Sequence, residues 1–380
     1  MPYVYFDHNA TTPLHPAARD AMLPWLGERF GNPSSLHQPG KAAYQAVADA
    51  RLDVARLIGG EADELVFTSS GTEANNMLLL GAGQRSGHTG RIVLSAIEHP
   101  STTSSAAWLE AADMEVVRVP PGRDGVVSAE AMIRALTDDT RMACLMLANN
   151  ELGTLQPVAR VAEACRERGI PVATDAVQAV GKIPVDVGEL GVDHLVLGAH
   201  KLNGPLGAAA VWTRRGAELS PLMAGGGQER RLRPGTENVP AIVGLGAAAR
   251  VAAEELPRRV VELSALRLRF EEGLRTIPDA VVHCAGAPRL PQTTNVAFPG
   301  VEGESLHIRL DLAGFAVSTG SACSSGAVEP SKTLLAVGVE PLEALASLRV
   351  SFGLGNTEEQ VDAFLAVLAR EVESLRQLSV

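Results

Sequence analysis

Lys201 stands in the stretch Val192 to Gly207, VDHLVLGAHKLNGPLG, where an apolar run (His194 to Leu197) reads as a buried strand that breaks into glycine, histidine, lysine and a Gly-Pro turn. Open α/β sheets hold their ligands just beyond the C-terminal ends of strands, so the position suits chemistry better than packing. Lysine occurs only at 41, 182, 201 and 332, the other cations being arginine. Arginine could supply charge here, but only lysine can form an imine, and burial would pull its amine below the usual value of about 10.4 and make it a nucleophile. The stretch suits equally a lysine that lays its stem on the surface and keeps its amine in water. A second reactive group is Cys323, embedded in STGSACSSG, where glycines and small polar residues argue for an exposed loop. Cys144 in MACLML, Cys165 in VARVAEACRERG and Cys284 among valines and alanines read as core filler, and no close cysteine pair suggests a zinc or redox site.

The elements that would position these groups alternate along the chain. Leu65 to Thr68, Arg91 to Ser95, Met142 to Ala148, Val172 to Thr174, His194 to Leu197 and Ala208 to Trp212 read as strands with helical stretches between several of them, which predicts an α/β fold with a mostly parallel sheet. Polar groups follow several strand ends: Glu98-His99, Asn149-Asn150-Glu151, Asp175 with Gln178, and His200-Lys201. In a parallel sheet they would gather along one edge. After Thr68 the loop SSGT leads into a helix from about Glu73 to Leu80, whose free amides and positive dipole end suit an anion. Each group has a plain alternative, since Asp175 could cap the next helix, His99 could be a satisfied loop histidine, and the SSGT junction could be a capped helix with no ligand. Together, a lysine, a carboxylate, an aromatic base and an anion-binding helix start are the parts that a pyridoxal phosphate site needs.

Length and composition narrow the class. With 380 residues the chain suits a large domain plus a smaller one, and 46% hydrophobic with 20% charged residues is a globular balance. No apolar run spans a bilayer and MPYVYFDHNATTP lacks a signal pattern, which predicts a cytoplasmic protein. A net charge of −11 with no basic stripe disfavours nucleic acid and anionic membranes as partners. A long helical region, Val239 to Leu274, should connect to the smaller domain, which carries strands at Thr294 to Phe298 and Leu348 to Phe352 and a closing helix over Glu358 to Leu378. The loop MAGGGQERRLRPGTEN (Met223 to Asn238) is rich in turn signals and suits a contribution across a subunit contact.

HNATTP, GNPSS, FTSSGTEANN, EHPS, NNELGTLQP, TDAVQAVGK, GAHKLNGPLG, GGGQERRLRPGTEN, STGSACSSG and SLRVSFG, in that order from about residue 5 to about residue 360, resemble the cysteine desulfurases, fold-type I pyridoxal-phosphate enzymes of the class V aminotransferase group. The GSACSSG loop is similar to the subgroup that includes the housekeeping and nitrogen-fixation enzymes. The resemblance implies a large cofactor domain over 15–255 and a small α/β domain from 1–14 and 256–380 that carries the cysteine loop. It implies that Lys201 carries the cofactor, Asp175 pairs with the pyridine nitrogen, Gln178 bonds the phenolic oxygen and His99 stacks on the ring. Gly71, Thr72 and His200 would bind the phosphate, with Thr236 of a neighbouring subunit in a homodimer. Asn150 would contact cofactor and substrate, and Arg349 the substrate carboxylate. The implied reaction takes sulfur from L-cysteine, leaving alanine and a persulfide on Cys323, with His99 as the base that helps the thiol. The sulfur then passes to an acceptor protein in iron–sulfur cluster assembly or in tRNA or cofactor thiolation. Two departures are Gly198, where relatives often have serine, and the end at Val380, where housekeeping relatives carry a further tail that docks the scaffold protein. A selenocysteine lyase or another class V aminotransferase activity would share the cofactor machinery, but a transaminase would have no need of Cys323.

Overall fold

The computed structural model describes residues 3–319 and 329–378. Thirteen strands are described, β1 (Val4–Tyr5), β2 (Leu65–Thr68), β3 (Arg91–Ser95), β4 (Glu115–Val119), β5 (Thr140–Cys144), β6 (Val172–Asp175), β7 (His194–Gly198), β8 (Ala209–Thr213), β9 (Val281–Val282), β10 (Thr293–Ala297), β11 (Phe315–Ala316), β12 (Ser318–Thr319) and β13 (Ser347–Ser351). Seven of them form one sheet in the order β2-β8-β7-β6-β5-β3-β4.

The predicted parallel sheet is there, with one exception. Strands β4, β3, β5, β6 and β7 pair in parallel, while β8 runs antiparallel to both β7 and β2. Because β2 opposes β8, it points the same way as β7, so the loop after Thr68 opens on the same edge as those after β3, β6 and β7. Alternate residues face opposite sides, as the two-residue repeat of a strand requires. Val93, Leu195 and Leu197 join a core with the helices Gln38–Leu57, Val158–Glu167 and Val239–Leu274, whereas Ile92, Leu94 and Val196 join another with the helices Gly71–Arg85 and Pro100–Ala111. Coverage on both faces explains why these strands read as continuous apolar runs.

Strand β4, EVVRV, carries charge at both Glu115 and Arg118 and lies at the sheet's edge, so it lacked the buried-strand signature of its neighbours. The run expected from Met142 to Ala148 pairs as a ladder only to Cys144. Beyond it, Leu145 and Leu147 still donate to the carbonyls of Ala173 and Asp175 and carry the chain toward the sheet edge.

A second core surrounds the small antiparallel sheet β12-β13-β10-β9 and the parallel pair β1-β11. Five phenylalanines from distant parts of the chain, Phe6, Phe270, Phe315, Phe352 and Phe364, meet there with ring centroids 5.1 to 6.3 Å apart. The helix Val239–Leu274 serves both cores, burying Ile242 to Ala252 against the large sheet and Leu266 to Leu274 against the small one, with Pro257 between. Gly246 is required on its first half, since a Cβ there would stand 2.6 Å from Ala50 Cα of the helix Gln38–Leu57. Phe270 is fully buried and touches two other rings, so Phe270→Ala should lower the unfolding free energy in urea by about 3–5 kcal/mol. A loss under about 1 kcal/mol would show that the cluster collapses onto the gap.

Candidate active site

The loops beyond the common edge of the large sheet enclose a cleft of about 410 Å³ whose walls include Asn9, Gly71, Thr72, His99, Asn150, Asp175, Gln178, His200, Lys201 and Arg349. Nine of the eleven residues to which the resemblance assigns a role thus converge on it, whereas Glu98, Asn149 and Glu151 do not line it. Thr236 does not line the cleft of its own chain and is exposed. Cys323 lies outside the described residues.

Lys201 closes the short helical turn Ala199–Lys201 that follows β7, and its Nζ donates to the carbonyls of Asn9 and, at 2.6 Å, Ala10. Burial first, then the Arg349 guanidinium, pull its pKa from the ordinary 10.5 to about 8, against the opposite pull of Asp7 and Asp175. The alternative of a lysine extended into solvent does not describe this side chain. Asp175 ends β6, where its carboxylate accepts from Asn75 Nδ2 at 2.8 Å and from the Val177 amide at 3.0 Å. It stays a member of the strand and points into the cleft, rather than capping a helix.

Gly71 and Thr72 open the helix Gly71–Arg85, with Ser70 as its cap accepting from the Glu73 amide. A Cβ at Gly71 would stand 3.1 Å from Val177 Cγ2, so glycine lets this helix start press against the loop after β6. The predicted start near Glu73 was two residues late, because glycine carries no helical signal although it serves well in a first turn beside a ligand. Arg233 binds Glu73 at 2.8 Å and thereby ties the loop before Thr236 to the same helix start.

His99 caps the helix Pro100–Ala111, and its Nδ1 accepts from the Ser101 amide at 3.1 Å. Burial holds its pKa below the ordinary value, Lys201 adds to that, and Asp175 opposes it. His200 Nδ1 meets Thr11 Oγ1 at 3.1 Å, and burial together with Lys201 and Lys182 lowers its pKa to about 4. Gln178 donates to the Asn9 carbonyl at 2.9 Å and receives Lys182 Nζ at 2.8 Å. Glu98, grouped with His99 in the sequence, faces away from the cleft. Its carboxylate accepts from Ser95 Oγ and the Met146 amide, both at 2.7 Å, and burial raises its pKa to about 7.

Arg349 arrives from the other sheet, on β13, where it donates to Asp7 at 2.7 Å and to the Asn150 carbonyl at 3.2 Å, while its buried Nε has no partner among the described residues. Asn9 is the knot of the site, bonding the Asn150 carbonyl, Thr293 Oγ1, Gln292 and Ser351 Oγ. Its signal was the polar segment FDHNATTP, which suited the lining of a site without showing which residue did the work. Asn75 and Ser101 were missed, because an amide and a hydroxyl inside helices carry no spacing that distinguishes them from packing.

As chemistry, the cleft offers a partly deprotonated amine, a carboxylate aimed across from it, a flat ring, helix-start amides and a guanidinium. The class-V aminotransferase family model matches residues 4–364. The chain belongs to the class-V aminotransferases. Among members of that family and its relatives, a protein of Methanosarcina thermophila called cysteine desulfurase IscS is 43% identical over 99% of this chain and 93% of its own. A solved structure titled NifS-like protein superposes with a TM-score of 0.92 at 35% identity, covering 98% of this chain and all of its own. Another, titled SspA in complex with cysteine, gives 0.82 at 34% identity over 92% and 98% of the two chains. This class-V aminotransferase has, among its described residues, no helix long and apolar enough to cross a membrane.

Proposed function

We propose that this protein is a cysteine desulfurase that uses pyridoxal phosphate to take sulfur from L-cysteine, forming alanine and a persulfide on Cys323. The observation that carries the reading is the convergence of Lys201, Asp175 and Arg349 on one cleft, in a chain whose full-length relatives bear the name cysteine desulfurase.

The residues present fit that cofactor. Lys201 has the depressed amine that a carbonyl needs, Asp175 has an oriented carboxylate for a ring nitrogen, and the first turn at Gly71-Thr72 with His200 suits a phosphate. When bound, pyridoxal phosphate supplies a sink for the electron pair left on the carbon next to the amino group. Asp175 would keep a proton on the ring nitrogen, and Arg349 would pair with the substrate carboxylate through its two-pronged guanidinium. Lys201 Nζ, once free, takes the proton from that carbon. Gln178 has a second amide hydrogen that would serve the phenolic oxygen, and His99 would stack on the ring. The Cys323 thiolate would then attack the substrate sulfur: a sulfur–sulfur bond forms, the carbon–sulfur bond breaks and its electron pair stays with the methylene carbon, which takes up a proton, and the neighbouring carbon takes back the proton held on Lys201 before alanine leaves.

Cys323 is singled out by its alternatives. Cys144 and Cys165 are buried, burial pushes the Cys144 thiol far above its ordinary value, and it raises Cys165 and Cys284 to about 11. None of these three can be a thiolate at neutral pH. The described residues flanking the segment 320–328 are held beside the cleft, with Ser318 opposite Arg349 in the β12–β13 ladder and both Ser331 and Thr333 bonded to Glu151. We further assign residues 15–255 to a cofactor domain and 1–14 with 256–380 to a small domain, supported by the change of core along the helix Val239–Leu274. A homodimer in which a second copy brings Thr236 to the phosphate accords with the exposure of that residue.

The test incubates the cofactor-loaded protein with L-cysteine and a reductant, and assays alanine and sulfide together beside Cys323→Ala. Equal yields of both from wild type, with a loss of at least about a hundredfold in the variant, are expected. A variant as active as wild type, or a keto acid in place of alanine, would return the protein to a lyase or aminotransferase activity.

A further inference from the structure

Four side chains from three elements make one continuous hydrogen-bonded unit along the cleft wall. Asp175 Oδ2 accepts from Asn75 Nδ2 at 2.8 Å, and the same Nδ2 donates to Ser101 Oγ at 2.9 Å. An ionised carboxylate only accepts, so the Asn75 atom facing it is the nitrogen, and both amide hydrogens are spent. Ser101 Oγ, already an acceptor, has its own proton to give, and the neighbour in line is His99 Nδ1 at 2.7 Å. The Ser101 amide also donates to Nδ1, at 3.1 Å. Two donors pointed at one ring nitrogen leave no place for a proton on it, and a neutral imidazole must then carry its hydrogen on Nε2. His99 lines the cleft, and Nε2 has no protein partner among the described residues.

We propose that Asn75 is a positioning residue that locks Asp175 and His99 into this unit and holds His99 as the tautomer protonated on Nε2, so that the ring offers the bound cofactor or substrate a hydrogen-bond donor and, in this state, is not the base for the Cys323 thiol that the resemblance implied. The assignment rests on the desulfurase reading for what occupies the cleft, but the tautomer does not. Burial and the helix start beneath the ring also favour the neutral imidazole, as at other histidines set on helix N-termini. Asn75 is itself buried in the helix Gly71–Arg85, one turn beyond the first-turn residues Gly71 and Thr72, so this helix would hold the phosphate at its start and the carboxylate and imidazole from its next turn.

Histidine-selective nitrogen-15 NMR near neutral pH tests this on the whole protein, cofactor-free and loaded with pyridoxal phosphate, with His99 assigned by its absence from His99→Gln. Wild type should show a pyridine-type Nδ1 and a pyrrole-type Nε2. Asn75→Leu, which keeps volume and removes both donors, should show mixed tautomers and hold the cofactor about tenfold more weakly. Ser101→Ala, which leaves the contact between Asn75 and Asp175, should disturb the tautomer while weakening the cofactor less than Asn75→Leu does. A proton on Nδ1 in wild type would overturn the proposal whether or not the variants fold. So would an Asn75→Leu protein matching wild type in both readouts. None of these measurements needs turnover, so a protein that made no alanine from cysteine yet showed the Nε2 tautomer would refute the desulfurase reading and leave Asn75 in its role.

Discussion

Lys201→Ala is expected to reduce turnover of L-cysteine by at least about a thousandfold, because one amine both captures the cofactor and moves the substrate proton. Lys201→Arg should be as inactive, since arginine restores the charge but neither nucleophilicity nor a dissociable proton. An arginine variant with substantial activity would mean that Lys201 acts as a charge alone. The pH dependence gives a second check. With its pKa lowered to about 8 by burial, Lys201 in the cofactor-free protein is the reactive free amine in roughly a tenth of molecules at pH 7 and nine tenths at pH 9. The rate at which the cofactor-free protein captures pyridoxal phosphate, followed by absorbance, should therefore climb through a midpoint near pH 8. A midpoint near the ordinary lysine value would show that the amine is not held among Asn9, Ala10 and Arg349 as described.

Asp175→Ala should leave the cofactor bound and the reaction slow. Lys201 and the helix start would still retain the cofactor, but no carboxylate would keep the ring nitrogen protonated, and the electron sink would fail. Turnover is expected to fall by about a hundredfold or more, or roughly 3 kcal/mol in the barrier. Asp175→Asn should be nearly as slow, because an amide fills the space between Asn75 and the Val177 amide without a charge to hold the proton. Cofactor stoichiometry from absorbance, measured beside the rate of alanine formation, separates the two losses. Asp175→Asn at wild-type speed would exclude the charge as its contribution.

Much of the fold was legible. Strands β2, β3, β6 and β7 are buried on both faces and therefore read as apolar runs, while alanine- and leucine-rich composition marked the helix Val239–Leu274 and the capping pattern from Thr357 marked Glu358–Leu378. Edge strand β4 was not, because Glu115 and Arg118, three apart, put a charge on each face and break both the apolar run and the alternation that mark a strand. The antiparallel course of β8 was also hidden, since strand direction is set by pairing and leaves no mark in five apolar residues.

At the site, the chain itself determined the chemistry on offer. One lysine after a strand, an aspartate after another, a glycine-opened helix and a cysteine among small residues are local facts, set by side-chain type and by the turns that follow strands. Tertiary structure decided which of these groups meet. Asn9, Asn150, Thr293 and Ser351 are joined by hydrogen bonds across almost the whole chain, and Arg349 reaches the cleft only because β13 comes beside Asp7 and the Asn150 carbonyl. It also decided their state. The lowered pKa of Lys201 comes from desolvation and from neighbours far away in sequence, and it acts only once packing has excluded water, whereas Ser101 bonds His99 Nδ1 from two residues away and only its link to Asn75 is a tertiary contact.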